Sequence, residues 1–243
     1  MKITVLGSSP AWPNPGGAHS GYLFEHASGR LLVDCGPGVL ARLRERESWP
    51  QVHAIAITHF HLDHWGDLVP WVWGAMYQAG GTAISTRPEL WVHAGGRAVL
   101  GQFGEQFGFS DMFDRVFTVL EYPAEKPFTA AGFEISPLRL QHYALETYGF
   151  RVAAAGSTIA YSGDTGPSDQ LVELARGTDL FICEATLGHS SEDGSLRGHL
   201  SADEALAAAA QAGTKRVLLT HRPTELALPA GVERAYDGLE VEL

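Results

Sequence analysis

The stretch Ile57-Thr58-His59-Phe60-His61-Leu62-Asp63-His64-Trp65-Gly66-Asp67, ITHFHLDHWGD, follows directly on the apolar run VHAIAIT at 52–58 and overlaps its end. Three histidines and an aspartate fall between positions 59 and 64. Polar groups packed this densely beside an apolar run are costly to bury unless something satisfies them. Imidazole and carboxylate are donors for Zn²⁺, Mn²⁺ or Fe. If residues 59–61 leave a strand in extended form, His59 and His61 share a side, because side chains alternate along such a chain. Asp63 and His64 then come after the turn, as a helix begins, and could grip a second ion beside the first. A lone histidine is usually an ordinary one, but donors at this density point to metal.

Short runs rich in Val, Ile and Leu recur at 2–6, 31–34, 133–140, 157–162, 179–183 and 216–220 and read as strands. Helix signals lie between them. Over 201–212, Ser201 and Glu204 form a capping-box pattern before an Ala-rich interior, and Gly213 stands at the stop. Val39 to Glu47 and Ser168 to Arg176 read similarly. Strands and helices are interleaved, so the class is α/β or mixed α+β, and with no linker in sight the chain reads as one domain, 1–243. AIAITH at 54–59 and VLLTH at 217–221 both end in Thr-His, while LLVDCGPG and IAYSGDTGP both run into an Asp and a Gly-Pro turn. This echo suggests two related halves whose strand ends converge.

The composition, 45% hydrophobic and 19% charged without long like-charge blocks, is that of an ordinary folded protein. The start MKITVLGSSP has no signal-peptide pattern and no long apolar run follows, which reads as a soluble cytoplasmic protein with no membrane partner. Cys35 and Cys183 have no CxxC partner and read as buried, reduced thiols. A net charge of −11, from 28 acidic and 17 basic residues, disfavours large nucleic acids as partners. The aromatics Trp65, Trp71, Trp73 and Tyr77, and Phe103, Phe107 and Phe109, read as core ahead of base-stacking surfaces. The Gly/Pro-rich loop at 8–22 reads as a rim that shapes a pocket, with His19 a candidate for substrate contact.

Thr58-His59-x-His61-x-Asp63-His64 resembles the HxHxDH motif of the metallo-β-lactamase superfamily. The resemblance covers the whole chain, with Asp34 in VDCGPG, His142 in LQHYALETYGFR, Asp164 in YSGDTG and His221 in LLTHRP following in the family's order. It implies a four-layer αββα sandwich with a dinuclear metal centre at its edge. His59, His61 and His142 would hold one divalent ion, and Asp63, His64 and His221 the other, with Asp164 bridging them. Zinc is the first expectation, with manganese or iron open. Asp34 would orient a ligating histidine rather than bind metal.

CEATL at 183–187, GHLSADEA at 198–205 and LLTHRP at 218–223 are similar to motifs of the ribonuclease Z-like branch. That similarity implies a support pair of Glu184 and His199, with His199 reaching the scissile phosphate and Asp63 orienting or deprotonating the nucleophile. Ribonuclease Z proteins commonly carry a long basic arm, often between the segments matching His142 and Asp164. Here residues 143–163 are filled by strand-like sequence, leaving no room for an arm. The expected activity is hydrolysis of a small phosphodiester, such as a cyclic nucleotide or short oligonucleotide. The alternatives are tRNA 3′-processing, thioester or lactone hydrolysis, and a non-catalytic metal-binding domain. The resemblance leaves a homodimer open.

Overall fold

The computed structural model describes residues 1–47, 49–77 and 87–243. The first half runs β1 (Lys2–Gly7), β2 (Gly21–His26), β3 (Gly29–Val33), α1 (Val39–Arg46), β4 (Ala54–Ala56), α2 (Leu62–Trp65), α3 (Leu68–Tyr77), β5 (Glu89–Val92), α4 (Gly96–Glu105), α5 (Met112–Val116) and β6 (Thr118–Glu121). The second runs β7 (Phe128–Ala130), β8 (Phe133–His142), β9 (Leu145–Ala154), β10 (Ser157–Tyr161), α6 (Asp169–Ala175), β11 (Leu180–Glu184), α7 (Ala202–Ala212), β12 (Val217–Thr220), β13 (Glu233–Arg234) and β14 (Glu240–Glu242).

Two seven-stranded sheets result, ordered β14-β1-β2-β3-β4-β5-β6 and β13-β12-β11-β10-β9-β8-β7. Each has antiparallel strands on one side and parallel strands on the other, with β3 to β6 parallel in the first and β10 to β13 parallel in the second. Alternation along the strands gives each sheet two apolar faces, so each must be covered twice. The inner faces meet in one core that includes Val5, Phe24 and Val33 opposite Phe133, Phe150 and Ile182. The outer face of the first sheet packs on α1, α3, α4 and α5 through Leu43, Trp71, Leu100 and Phe113. The outer face of the second packs on α6 and α7 through Leu171, Leu174, Ala205 and Ala209. The layers are therefore α, β, β, α, as expected.

The helix at 201–212 is observed with its full capping box, and Gly213 closes it at φ 66° in the left-handed region that glycine tolerates. The apolar run at 52–58 is regular strand only over Ala54–Ala56. Beyond it, the Thr58 amide donates to Asp34 Oδ1 at 2.9 Å, so the chain peels away from the sheet. Cys35 and Cys183 are free and buried in the two opposite outer cores. Trp65 and Trp71 are core residues, whereas Tyr77 and Phe107 are more than half exposed. Among the described residues no helix is long and apolar enough to cross a membrane.

Candidate metal centre

The residues singled out from the sequence follow the carboxyl ends of strands. Asp34 succeeds β3, His59 lies just past β4, His142 and Glu184 end β8 and β11, Asp164 lies just past β10, and His221 succeeds β12. Because both sheets present these ends to one place, the loops meet in a single site, the usual location in sheets with parallel strands. His61 is extended (φ −73°, ψ 139°) at the start of α2, and Asp63 and His64 sit in that helix. The peptide after β4 is held between the sheets, where Thr58 O accepts from the Tyr148 amide at 3.2 Å and Ile57 O from the Tyr122 hydroxyl at 3.0 Å.

Two donor clusters form. His59, His61, His142 and Asp164 make one; Asp63, His64, Asp164 and His221 make the other, with Asp164 common to both. In the first, the three rings are 4.7–5.0 Å apart and steeply inclined, so their edges converge. His142 Nε2 lies 2.9 Å from His61 Nδ1, and Asp164 Oδ2 is 3.9 Å from Nε2 of both His59 and His142. In the second, Asp63 Oδ2 and Asp164 Oδ1 lie 3.1–3.5 Å from Nε2 of His64 and His221. Ligands about 2.0–2.1 Å from a tetrahedral ion stand roughly 3.3 Å apart. The observed spacings bracket that value.

The Nδ1 atoms of three of these histidines are held from behind. His64 Nδ1 meets Asp34 Oδ2 at 2.7 Å, His142 Nδ1 meets Gly198 O at 2.7 Å, and His221 Nδ1 meets Thr186 Oγ1 at 2.8 Å. Such contacts fix ring orientation and free the opposite nitrogen for a ligand. Asp34 takes up its role at φ 56°, and His221 at φ 51°, both in the left-handed region. Gly36 is needed beside them: an ideal Cβ there would stand 2.0 Å from Asp63 O.

Most of the donors carry the charge that ligation requires. His64 is the exception: burial opposes its charge, but Asp164 and Asp34 outweigh it and hold the ring well above the usual imidazole pKa, so that it would release a proton on binding an ion. Burial, with His64 nearby, holds His59 well below the usual imidazole pKa, and burial likewise lowers His61 and His142, which keeps these rings neutral. For Asp63, burial opposes ionisation, but the hydrogen bond from His221 and the nearby His64 outweigh it and hold the carboxyl down at about 2. Buried polar atoms normally have a hydrogen-bond partner. His59 Nε2, His64 Nε2 and Asp164 Oδ1 have none, and all three are donor atoms of the clusters. The donor set fits divalent metal.

Beside the second cluster, Glu184 Oε1 pairs with His199 Nδ1 at 2.8 Å and accepts from the Thr165 amide, while Oε2 accepts from Thr186 and the Leu200 amide. Burial works against a charged His199, yet Glu184, Asp164 and Asp193 raise it to about 9. The His199 ring stacks at 5.7 Å on His221. His19 is nearly buried, its Nδ1 bonded to Pro10 O at 2.9 Å, so it ties down the rim loop rather than facing outward.

Sequence reasoning missed Thr186, Tyr161 and Asp193. Tyr161 donates to Asp34 at 2.9 Å, and Asp193 Oδ2 accepts from the amides of Gly198 and His199 at 2.7 and 3.0 Å. Short-range patterns do not mark such residues. The position of Thr186, two residues past Glu184, was the one available hint.

The family model of the beta-lactamase superfamily domain matches residues 29–222. An uncharacterised protein of Mycobacterium tuberculosis is 39% identical, with 92% of this chain and 81% of that protein covered. The probable metallo-hydrolase YhfI of Bacillus subtilis is 30% identical, with 92% and 87% covered. The crystal structure of YhfI matches with a TM-score of 0.83 over 99% of both chains, at 26% identity in that superposition. Ribonuclease Z of Ignicoccus hospitalis is 26% identical, with 90% and 87% covered.

Proposed function

The chain belongs to the beta-lactamase superfamily of metallo-hydrolases, and from that premise we propose that it is a phosphodiesterase acting on a small phosphodiester, such as a cyclic nucleotide or short oligonucleotide. One observation carries the reading: two donor clusters share Asp164, and a buried carboxylate presents His199 beside them. In this proposal His59, His61 and His142 would hold one divalent ion and Asp63, His64 and His221 the other, with Asp164 available to both. Zinc suits the donors best, although manganese or iron is accepted by the same set. When bound, the pair of ions supplies Lewis acidity for a water and for the phosphoryl oxygens.

The chain's own groups do the rest. Asp63, ionised, orients the attacking water and receives its proton. The water oxygen bonds to phosphorus as one P–O ester bond breaks, and His199, held by Glu184, gives a proton to the departing alkoxide. A linear diester gives a phosphomonoester and an alcohol, and a cyclic one gives a single phosphomonoester that carries the freed hydroxyl. β9 and β10 pair from Phe150 to Ala154 through a tight turn at Ala155-Gly156, so the interval between His142 and Asp164 carries no inserted arm, which favours a small substrate over a tRNA. The net charge of −11 disfavours a long polyanion as well.

Asp63→Ala should abolish hydrolysis of bis-p-nitrophenyl phosphate by metal-loaded protein; near-normal turnover would defeat the assignment. Parallel assays on a thioester and a pre-tRNA complete the test. Thioesterase activity alone, or preference for the pre-tRNA, would replace this reading.

A further inference from the structure

His199 opens onto a cleft of about 500 Å³ whose lining includes Trp12, Tyr143, Leu226, Glu192 and Glu225. The volume suits one small organic group. Two aromatic residues are exposed there, Trp12 at 54% and Tyr143 at 40%, beside the partly buried Leu226. Exposed tryptophan in a fold that buries Trp65 and Trp71 calls for a reason.

The Trp12 segment is fastened to the site. Asn14 Nδ2 donates to Arg222 O at 3.0 Å, and Asn14 Oδ1 accepts from the Thr224 amide at 3.0 Å. His19 holds Pro10 O on the other side of the tryptophan. The loop is therefore clasped to the residues that follow His221, and the backbone that carries the ring is held beside the site. Tyr143 is equally constrained, at φ 49° immediately after His142, with its ring against Gly198, where an ideal Cβ would stand 2.4 Å from it. Its ring centroid is 5.7 Å from that of His199.

Away from His199, the charged groups that line the cleft are carboxylates. Glu192 and Glu225 are its carboxylates, and no Lys or Arg is among its lining residues. Glu192 bends back over Gly188, accepting from that amide at 2.9 Å. Such a surface repels a phosphate and favours a flat, neutral group with N–H donors at its edge.

We infer that this cleft holds the nucleobase of a mononucleotide diester, stacked on Trp12 and Tyr143 with an exocyclic amine toward Glu192 or Glu225, while the single phosphate lies at His199. The inference rests on the phosphodiesterase reading and narrows it to one base and one phosphate. Aromatic platforms bind any base face, and the carboxylates then select amino-bearing bases and turn away a second phosphate.

The test compares adenosine 3′,5′-cyclic phosphate with methyl riboside 3′,5′-cyclic phosphate, which has the same diester and no base. Wild-type protein should prefer the nucleotide in kcat/KM, and Trp12→Ala should reduce that preference about tenfold, mainly through KM. Trp12→Phe should restore most of it. Glu225→Ala combined with Glu192→Ala should narrow discrimination against the purine analogue lacking the 6-amino group. An unchanged preference in Trp12→Ala overturns the inference while leaving the diesterase reading intact. If neither diester is cleaved, that reading fails by itself, and calorimetric binding of adenosine 5′-monophosphate decides the cleft: weaker binding by Trp12→Ala supports it, and equal or absent binding overturns it.

Discussion

Oδ2 of Asp34 lies 2.7 Å from Nδ1 of His64, and the same carboxylate also accepts from the Thr58 amide and the hydroxyls of Thr58 and Tyr161. One buried side chain from the end of β3 therefore fixes a donor of the second cluster, the departure of the chain from β4, and an element of the opposite sheet.

The Thr58 amide donates to one oxygen of Asp34, and Nδ1–H of a His64 that ligates through Nε2 donates to the other, so Asp34→Asn must set an amide NH₂ against one of the two. A buried donor left unmatched costs about 1–3 kcal/mol. Loss of an outer partner of a ligating histidine typically weakens metal affinity about 10–100-fold. Urea unfolding and chelator competition should show both losses; a variant with wild-type metal affinity would contradict the role assigned to Asp34.

Removing metal should lower thermal stability. The donor atoms His59 Nε2, His64 Nε2 and Asp164 Oδ1 are buried without hydrogen bonds, and a cation bound only by the folded form adds about 2.7 kcal/mol at a hundredfold excess over Kd. Calorimetry of chelator-treated protein, before and after addition of zinc, should show a lower Tm that is then recovered. Identical melting curves would remove the case for these clusters as a metal centre.

Asp193 anchors the loop that carries His199 by accepting from two successive amides. Asp193→Ala should lower kcat for a diester by about tenfold, as expected when a group that acts in the transition state is misplaced. Metal content, measured by atomic absorption, should be nearly retained. A fall in metal content without a change in kcat per bound metal would assign Asp193 to folding alone.

Glu204 serves the start of α7 and also binds Arg197, which donates to His199 O. Burial opposes its ionisation, but hydrogen bonds from Arg197 and Ser201 outweigh it and lower its pKa. A carboxyl lowered in the folded state stabilises above its unfolded pKa, near 4.3, and that contribution is lost as pH falls through the folded value. Glu204→Gln should therefore melt below wild type at pH 7, and the gap should close in acid below about pH 4. Ser201→Ala, which removes the cap itself, should cost about 1 kcal/mol at pH 7, and part of that cost should persist in acid because the Glu204 amide has still lost its acceptor.

Much of this arrangement was legible in the sequence because it is written locally. The seven donor residues named from the motifs do come together, and α7 was readable from its cap and stop. Other elements left weaker marks. β7 spans only Phe128–Ala130, and α4 carries three glycines in GRAVLGQFGE, which work against helix on propensity alone. Both are held by packing against the sheets. Trp12 was hidden for the opposite reason: it lies in a loop of no regular structure, and its place depends on Asn14 reaching residues two hundred positions away.

The shared core between the two sheets acts as a spacer gauge. His59, His61, Asp63 and His64 stand on one side of that seam and His142, Asp164 and His221 on the other. Any change in sheet separation is read out as a change in donor spacing. Trimming a large inner side chain far from the clusters, such as Phe133 or Phe150, would let the sheets settle toward each other. The affinity for the ions would report that settling, making the metal centre a calliper for the packing of the whole molecule.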